Sequence, residues 1–370
     1  MTVSKINVLH LISEKTWRGG ENQCRLLIER SADQVRSFAA VPAGSEAEKR
    51  LSSIAEVILC SYKPLGLLSS AKKLSKLIRE HNIQVIDCQS SKAHNLGLLI
   101  KRLHPRIALI VHRRVDYSPG TGWLNRTKYQ TSLVDRYVAI SDAIARVLVT
   151  SGISSDRITT VRSAVDGTQM NSMNRDQVKS SLVSELELDS SVPIIVNIAY
   201  HTDQKGHDVL IRALSRLKRQ SIRFQCLLAG SGPLTNELQM QAKKLGLSER
   251  ELLFLGIRND VPELLLASDI FAMPSNFEGL GTSFLDAMHA SLPIAATNVG
   301  GIPEIVFHGK NGFLCEKGNE EIHASHLKDL LTHEELRKKL GARGKNMVEN
   351  EFSLQAMIKG NLAVYHQYTK

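Results

Sequence analysis

The chain has 370 residues, 42% hydrophobic and 23% charged, with 47 Lys and Arg against 37 Asp and Glu for a formal charge of +10. This length exceeds one typical core and predicts two domains, and the balance excludes a disordered chain. The positive field favours polyanions, a class that holds nucleic acid, an anionic membrane surface and nucleotide or phosphate substrates. No apolar run approaches the ~20 residues that span a bilayer, and residues 1–7 lack the charged-then-apolar layout of a leader. Five scattered cysteines without a CxxC pair point to buried reduced thiols, not disulfides or zinc. The expectation is a cytoplasmic protein.

In chain order, short apolar strands alternate with helical patterns. Strands are predicted over 6–12, 38–41, 57–59, 85–87, 108–112, 137–140 and 158–161, with helices over 21–30, 71–81, 93–103 and 141–151. The polar stretch 166–193 reads as a linker and the entry to a second domain. The alternation restarts with strands over 193–199, 223–229, 252–255, 270–273 and 292–296 and helices over 206–219, 239–245 and 282–290. From residue 320 onward strands disappear and helices run to 370. Repeated βα units imply an α/β fold of two doubly wound, mainly parallel sheets. Their loop ends are expected to oppose one another across a cleft.

The stretch 274–304 carries the most chemistry. Pro274, Ser275, Asn276 and Gly279 punctuate a loop beyond the carboxyl end of a strand, where open α/β sheets bind ligands. Gly279 and Gly281 allow close backbone approach to a phosphate, which the next helix start favours. Glu278 and Asp286 stand eight residues apart. A carboxylate next to a bound phosphate is repelled by it, so Glu278 is read as accepting hydrogen bonds from hydroxyls. Phosphate, hydroxyls and a fixed acid together point to a sugar nucleotide; the competing reading is plain turns and helix-start acids.

Other strand ends carry glycine or charge. Residues 17–22, WRGGEN, are glycine-rich after the first strand but lack the GxGxxG fingerprint. His112, Arg113 and Arg114 follow a strongly apolar strand, where guanidinium groups can grip phosphate or carboxylate. Asp203 to His207 brings Lys205 and Gly206 to a helix start suited to a diphosphate. Gly230 opens a similar turn, and the loop at 256–261 with Arg258 suits a nucleobase. Each motif alone also fits a turn or a solvated basic loop; their recurrence within one domain carries the argument.

These residues resemble the retaining glycosyltransferases of family 4, over nearly the whole chain. The likeness is strongest in EGLGTSFLDAM and NVGGIPEIVFHGKNGFL, with support from KGHDVLIRAL, LLAGSGPL and FLGIRNDVPELL. The resemblance implies the GT-B fold: Rossmann-like domains over 1–170 and 171–350, with the C-terminal helix 351–370 packing back on the first. It implies that Glu278 contacts donor-sugar hydroxyls and Asp286 the ribose, with Gly279, Leu280, Gly281 and Thr282 along the diphosphate loop. Lys205 would neutralise the diphosphate, with Gly206 and Gly230 beside it, and the Arg258 loop would line the base. Gly19 and Gly20 would approach the diphosphate from the other domain. His112 would stand near the reacting centre or the acceptor, with Asn22, Arg113 and Arg114 on the acceptor side.

Two departures stand out. Asp286 replaces the usual Glu, and Ala199-Tyr200-His201 occupies the region where the family often has an Arg. Diphosphate stabilisation then rests on Lys205 and backbone amides, with His201 beside them.

The implied activity is retaining, metal-independent transfer without a cofactor, from a nucleotide sugar to a saccharide or lipid-linked acceptor in surface polysaccharide or lipopolysaccharide synthesis. Lys72, Lys73, Lys76 and Arg79, beside Leu74 and Leu77, are expected to offer peripheral contact with an anionic membrane, on its cytoplasmic side; a solvated helix face is the alternative. Competing functions are a nucleotide-sugar epimerase of the same fold, a non-catalytic partner subunit, and a basic protein binding nucleic acid or an anionic surface. The nucleic-acid reading lacks an aromatic stacking platform, since aromatics make up only 5%.

Overall fold

The computed structural model describes residues 5–116 and 122–369. Residues 1–4 of the stretch inspected for a leader, and Lys370 at the end of the helical run, lie outside the described residues. The chain divides into two compact units, Met1–Ala164 with Leu354–Lys370, and Val165–Ser353.

In the first unit the strands are β1 (Ile6–Leu11), β2 (Val35–Val41), β3 (Glu56–Leu59), β4 (Val85–Cys88), β5 (Ala108–Arg113), β6 (Arg136–Ala139) and β7 (Ile158–Thr160). They are all parallel, in the order β3-β2-β1-β4-β5-β6-β7. Every residue of β4 and β5 is buried, as expected where helices cover both faces of a parallel sheet. His10 pairs with Asp87, and Asp87 with Ile110. Because strand side chains alternate, His10, Asp87 and His112 therefore share one face. Below them on that face, Val8, Val85 and Ile110 pack against Leu26 and Leu27 of the helix Gly19–Arg30. Met357, Leu362 and Tyr365 of the C-terminal helix Leu354–His366 join the same core.

The second unit holds β8 (Ile194–Ile198), β9 (Gln225–Ala229), β10 (Leu252–Gly256), β11 (Ile270–Met273), β12 (Ile294–Thr297) and β13 (Gly312–Cys315). These strands run parallel in the order β10-β9-β8-β11-β12-β13. The helix His207–Arg219 buries Leu210, Leu214 and Leu217, spaced four and three apart, against Ile195, Leu228 and Ile270. Burying each such side chain contributes about 1.5–3 kcal/mol. Phe271 and Phe284 meet edge to face at 5.4 Å under the loop that follows β11. In both sheets the strand order reverses beside the first strand, at β1/β4 and β8/β11, which is where doubly wound sheets open a crevice.

Some expectations need correction. Strand β13 was not anticipated, because four residues beginning with glycine carry little strand signal. It forms because its edge register suits β12, where a Cβ at Gly312 would lie 2.4 Å from the Ile294 carbonyl oxygen. The stretch read as a linker contains the helix Arg175–Glu185, capped by Asn174, whose Oδ1 accepts from the Gln177 N–H at 3.0 Å. Its weak pattern reflects a single buried side chain, Leu182. The helix predicted from 71 begins at Pro64, whose fixed φ suits a first helical position. Leu74 is buried in that helix, so it cannot accompany the lysines outward; Leu65 and Leu68 are the exposed leucines. All five cysteines are unpaired and buried. Among the described residues no helix is long and apolar enough to cross a membrane.

Candidate active site

In the second unit the loops after β8 and β11 meet at the switch point. Gln204 zips them together: its carbonyl accepts from the N–H of Asn276 at 2.8 Å and of Phe277 at 3.3 Å, and its Nε2 donates to the Phe277 carbonyl at 3.1 Å. Asn276 Nδ2 returns a bond to the Asp203 carbonyl at 2.7 Å. Lys205 lies on a single 3-10 turn, Asp203–Lys205, and forms an ion pair with Glu278. Both side chains are mostly buried, at 19% and 9% exposure. At that depth, removing one partner strands the other and typically costs about 3–5 kcal/mol.

Glycine is required around this pair. Gly206 has φ 65° and a Cβ there would lie 1.9 Å from the Pro274 carbonyl oxygen. Gly281 has φ 89° and would clash with Phe284 at 2.3 Å. Each of these glycines stands immediately before a helix, His207–Arg219 or Thr282–His289, and neither helix has a side-chain cap. First-turn N–H groups are thus left at both loops, where anions are favoured. Leu280 is fully buried and anchors the loop from beneath. The Gly301 N–H donates to the Glu278 carbonyl at 2.9 Å, so the 300–301 turn braces the segment carrying Gly279 and Thr282.

His201 is fully buried beside these loops. Its Nδ1 lies 2.9 Å from Thr235 Oγ1, whose hydroxyl donates to the Gly232 carbonyl at 2.9 Å. Its Nε2 is buried without a hydrogen-bond partner. Burial also lowers the pKa of His201. Gly230 gives this ring room: at φ 143°, a Cβ there would be 3.6 Å from Nε2 and 1.9 Å from the Ala199 carbonyl oxygen.

Asp286 is partly buried in the helix Thr282–His289. Burial first, then the Asp166 carboxylate, pushes its pKa up to about 7. Arg258 is held by Asp260, with Nε 2.7 Å from Oδ1, and by Glu185, with Nη1 2.8 Å from Oε1. These bonds, Asp260's first, raise its pKa. The guanidinium is spent on structure, so what its loop offers a base is backbone.

In the first unit, Gly19 and Gly20 are the opening residues of a helix, not a turn before it. The Arg18 N–H donates to Glu21 Oε2 at 3.1 Å across that start. A Cβ at Gly20 would lie 3.1 Å from Arg114 Cδ. Asn22 Oδ1 accepts from Arg25 Nε at 3.1 Å. Of the two arginines expected at the sheet edge, Arg113 is buried and Arg114 half-buried: Arg113 Nη1 donates to Tyr129 Oη at 3.1 Å, and Arg114 Nη2 to Gln89 Oε1 at 2.7 Å. His112 Nε2 lies 3.0 Å from Asp87 Oδ1, an ion-pair contact whose angle falls short of a linear hydrogen bond. Asp87 Oδ2 receives Tyr365 Oη at 2.6 Å and Gln89 Nε2 at 2.9 Å, and faces His10 Nδ1 at 3.1 Å. Sequence reasoning missed Asp87, His10 and Tyr365 as functional candidates. The available signal was a charge inside the apolar strand VIDC.

Residues 17–169 match the model for Glycosyltransferase Family 4, and residues 179–347 that for Glycosyl transferases group 1. N-acetyl-alpha-D-glucosaminyl L-malate synthase of Bacillus anthracis is 30% identical over 187 residues, 50% of this chain and 49% of that protein. The chain thus spans about half the length of that relative. The capsular polysaccharide biosynthesis glycosyltransferase CapM of Staphylococcus aureus is 23% identical over 347 residues, 88% of each chain. Anabaena Alr3699/HepE, solved in complex with UDP and glucose, superposes with a TM-score of 0.86 at 20% identity, covering 98% of this chain and 100% of that one. The chain belongs to the group 1 and family 4 glycosyltransferases and has the two Rossmann-like domains of the GT-B fold.

Proposed function

We propose that this glycosyltransferase moves a sugar from a nucleoside diphosphate donor to a saccharide or lipid-linked acceptor, with retention at the anomeric carbon and without a metal or other cofactor. The observation that carries the reading is the buried Lys205–Glu278 pair between two uncapped helix starts. On binding, the diphosphate takes the Lys205 ammonium and the amides at Gly281 and Thr282. Glu278, released from the lysine, accepts from sugar hydroxyls. As the bond from the anomeric carbon to phosphate oxygen breaks and the bond to the acceptor oxygen forms, the acceptor hydroxyl gives its proton to His112 and negative charge develops on the leaving diphosphate. Preorganised N–H groups and one lysine stabilise that charge. Asp286 accepts from the ribose once ionised, and the backbone of the Arg258 loop receives the base. His112 serves the acceptor side, with Asn22, Arg113, Arg114, Gly19 and Gly20 shaping its surroundings.

A thermal-shift panel of UDP, GDP and ADP sugars tests this, because a ligand that binds only the native state stabilises it. One nucleotide series should raise the melting temperature, and Lys205→Ala should abolish that rise. The absence of any shift across the panel would refute the assignment. Incubating the donor alone separates transferase from epimerase: slow hydrolysis supports the first, an epimer the second. A salt-dependent gel shift would instead support the nucleic-acid reading.

A lipid-linked acceptor has its own support. On the helix Pro64–Glu80, Leu65 and Leu68 are exposed at 102% and 74%, and Lys72, Lys76 and Arg79 continue the same outward stripe. Two bare leucines with a basic flank suit the interface of an anionic bilayer on the cytoplasmic side, as in surface polysaccharide or lipopolysaccharide assembly. Sedimentation with phosphatidylglycerol vesicles, but not with phosphatidylcholine alone, is expected. Retention of that binding in the Leu65→Ser, Leu68→Ser double variant would exclude this surface.

A further inference from the structure

Asp87 is a buried, heavily bonded group in the first unit, and three of its partners come from distant parts of the chain. It has no exposed surface. Gln89, two residues on, and Tyr365, on the C-terminal helix, both donate to Oδ2, and His10 of β1 faces that same oxygen. The other oxygen is left to His112 of β5 at 3.0 Å. Burial alone would push the carboxyl pKa up, but His112 and His10 outweigh it and hold Asp87 below the usual carboxylate range. An ionised oxygen at 3.0 Å from a ring nitrogen is repulsive if that nitrogen carries a lone pair and attractive if it carries a proton. The contact is short without being a formed hydrogen bond, so the preference is electrostatic: it favours the proton on His112 Nε2, and in the neutral ring Nδ1 becomes the acceptor.

We propose that Asp87, clamped by Tyr365 of the C-terminal helix, is a positioning residue that fixes His112 as its Nε2–H tautomer and leaves Nδ1 as the nitrogen that meets the acceptor hydroxyl. The inference rests on the reading above that His112 serves the acceptor side. It gives the C-terminal segment Leu354–His366 a part in the chemistry, through one phenol and one carboxylate. The apolar contacts of Met357 and Leu362 hold that helix in place without Tyr365 Oη, so Tyr365→Phe removes the clamp and retains the packing.

The test begins without any ligand. In the full chain labelled with 15N-histidine, the resonance lost in His112→Ala identifies that ring. It should show a protonated Nε2 and an unprotonated Nδ1, and Tyr365→Phe should shift it towards mixed tautomers. With the donor identified by the nucleotide panel, Tyr365→Phe should lower transfer about tenfold, leaving donor KM and donor-only hydrolysis unchanged. In a His112→Ala background it should lower transfer no further. An Nδ1–H tautomer in the native protein overturns the inference, even if Tyr365→Phe fails to fold. So do additive losses in the double variant. Full transfer by His112→Ala would instead discard the role of His112 itself, and the inference with it.

Discussion

At the carboxyl edge of the first sheet, a carboxylate is buried and enclosed by side chains: Asp87 Oδ2 meets Tyr365, Gln89 and His10, and Oδ1 lies 3.0 Å from His112. At the same topological position in the second sheet, glycines at positive φ bring backbone together and leave helix starts without side-chain caps around one ion pair. The first edge surrounds its charge with partners from within the fold. The second holds a charge pair that a bound anion can reorganise, because its lysine has a stronger partner to offer. Under the functions proposed above, that contrast separates a preset orienting device from a ligand-binding one, on sheets of closely similar order.

The largest effect should come from breaking the second edge's pair. Lys205→Ala and Glu278→Ala should each lower transfer about 100- to 1,000-fold while circular dichroism stays native. Near-normal turnover in both would erase the contrast. Next comes the backbone of that edge. Gly206→Ala combines a left-handed φ with a Cβ 1.9 Å from the Pro274 oxygen, so unfolding in urea should show a loss of about 3 kcal/mol or more. Gly44→Ala, at nearly the same φ of 68° but with nothing within 4 Å, should lose only about 1 kcal/mol.

Acid should expose a further difference. Burial lowers the pKa of His94 in the first unit, and of His207 and His323 in the second, to about 3. A histidine held neutral in the fold contributes stability that is complete above its unfolded value, about 6.5, and is lost as pH falls towards the folded one. Each should lower stability by up to about 1.4 kcal/mol per pH unit in that window. Asp87, whose folded pKa is depressed, adds its loss only below its unfolded value of about 3.9. Chemical denaturation at pH 7, 5.5 and 4.5 should therefore show a loss well before Asp87 titrates; constant stability across that range would contradict the burial of these rings.

The smallest effect concerns Asp286. Its pKa is raised from 3.8 to about 7, so the fold favours its protonated form and loses stability as pH rises through that interval. Asp286→Asn should stabilise the protein by about 1 kcal/mol at pH 8, and by much less at pH 5. A melting temperature unchanged at pH 8 would show that the Asp166–Asp286 repulsion is relaxed in solution.

The sequence by itself determined the alternation of strands and helices, the two sheets, and the loops carrying Lys205, Glu278 and the glycines. These signals are local: period-two and period-3.6 patterns, turn residues, and contiguous motifs. The helix Arg175–Glu185 and strand β13 escaped because each is held by neighbours and by a cap or register more than by its own apolar pattern. Tertiary structure alone decided that Arg258 is spent on Asp260 and Glu185, that Leu74 faces inward, and that His201 is buried against Thr235. It alone joined Tyr365 to Asp87, 278 positions apart. A motif is written in adjacent residues, but a side chain's partner is set by which strands lie side by side and which helix covers them. Strand order and helix cover are long-range facts, and they decide where each hydrogen bond ends.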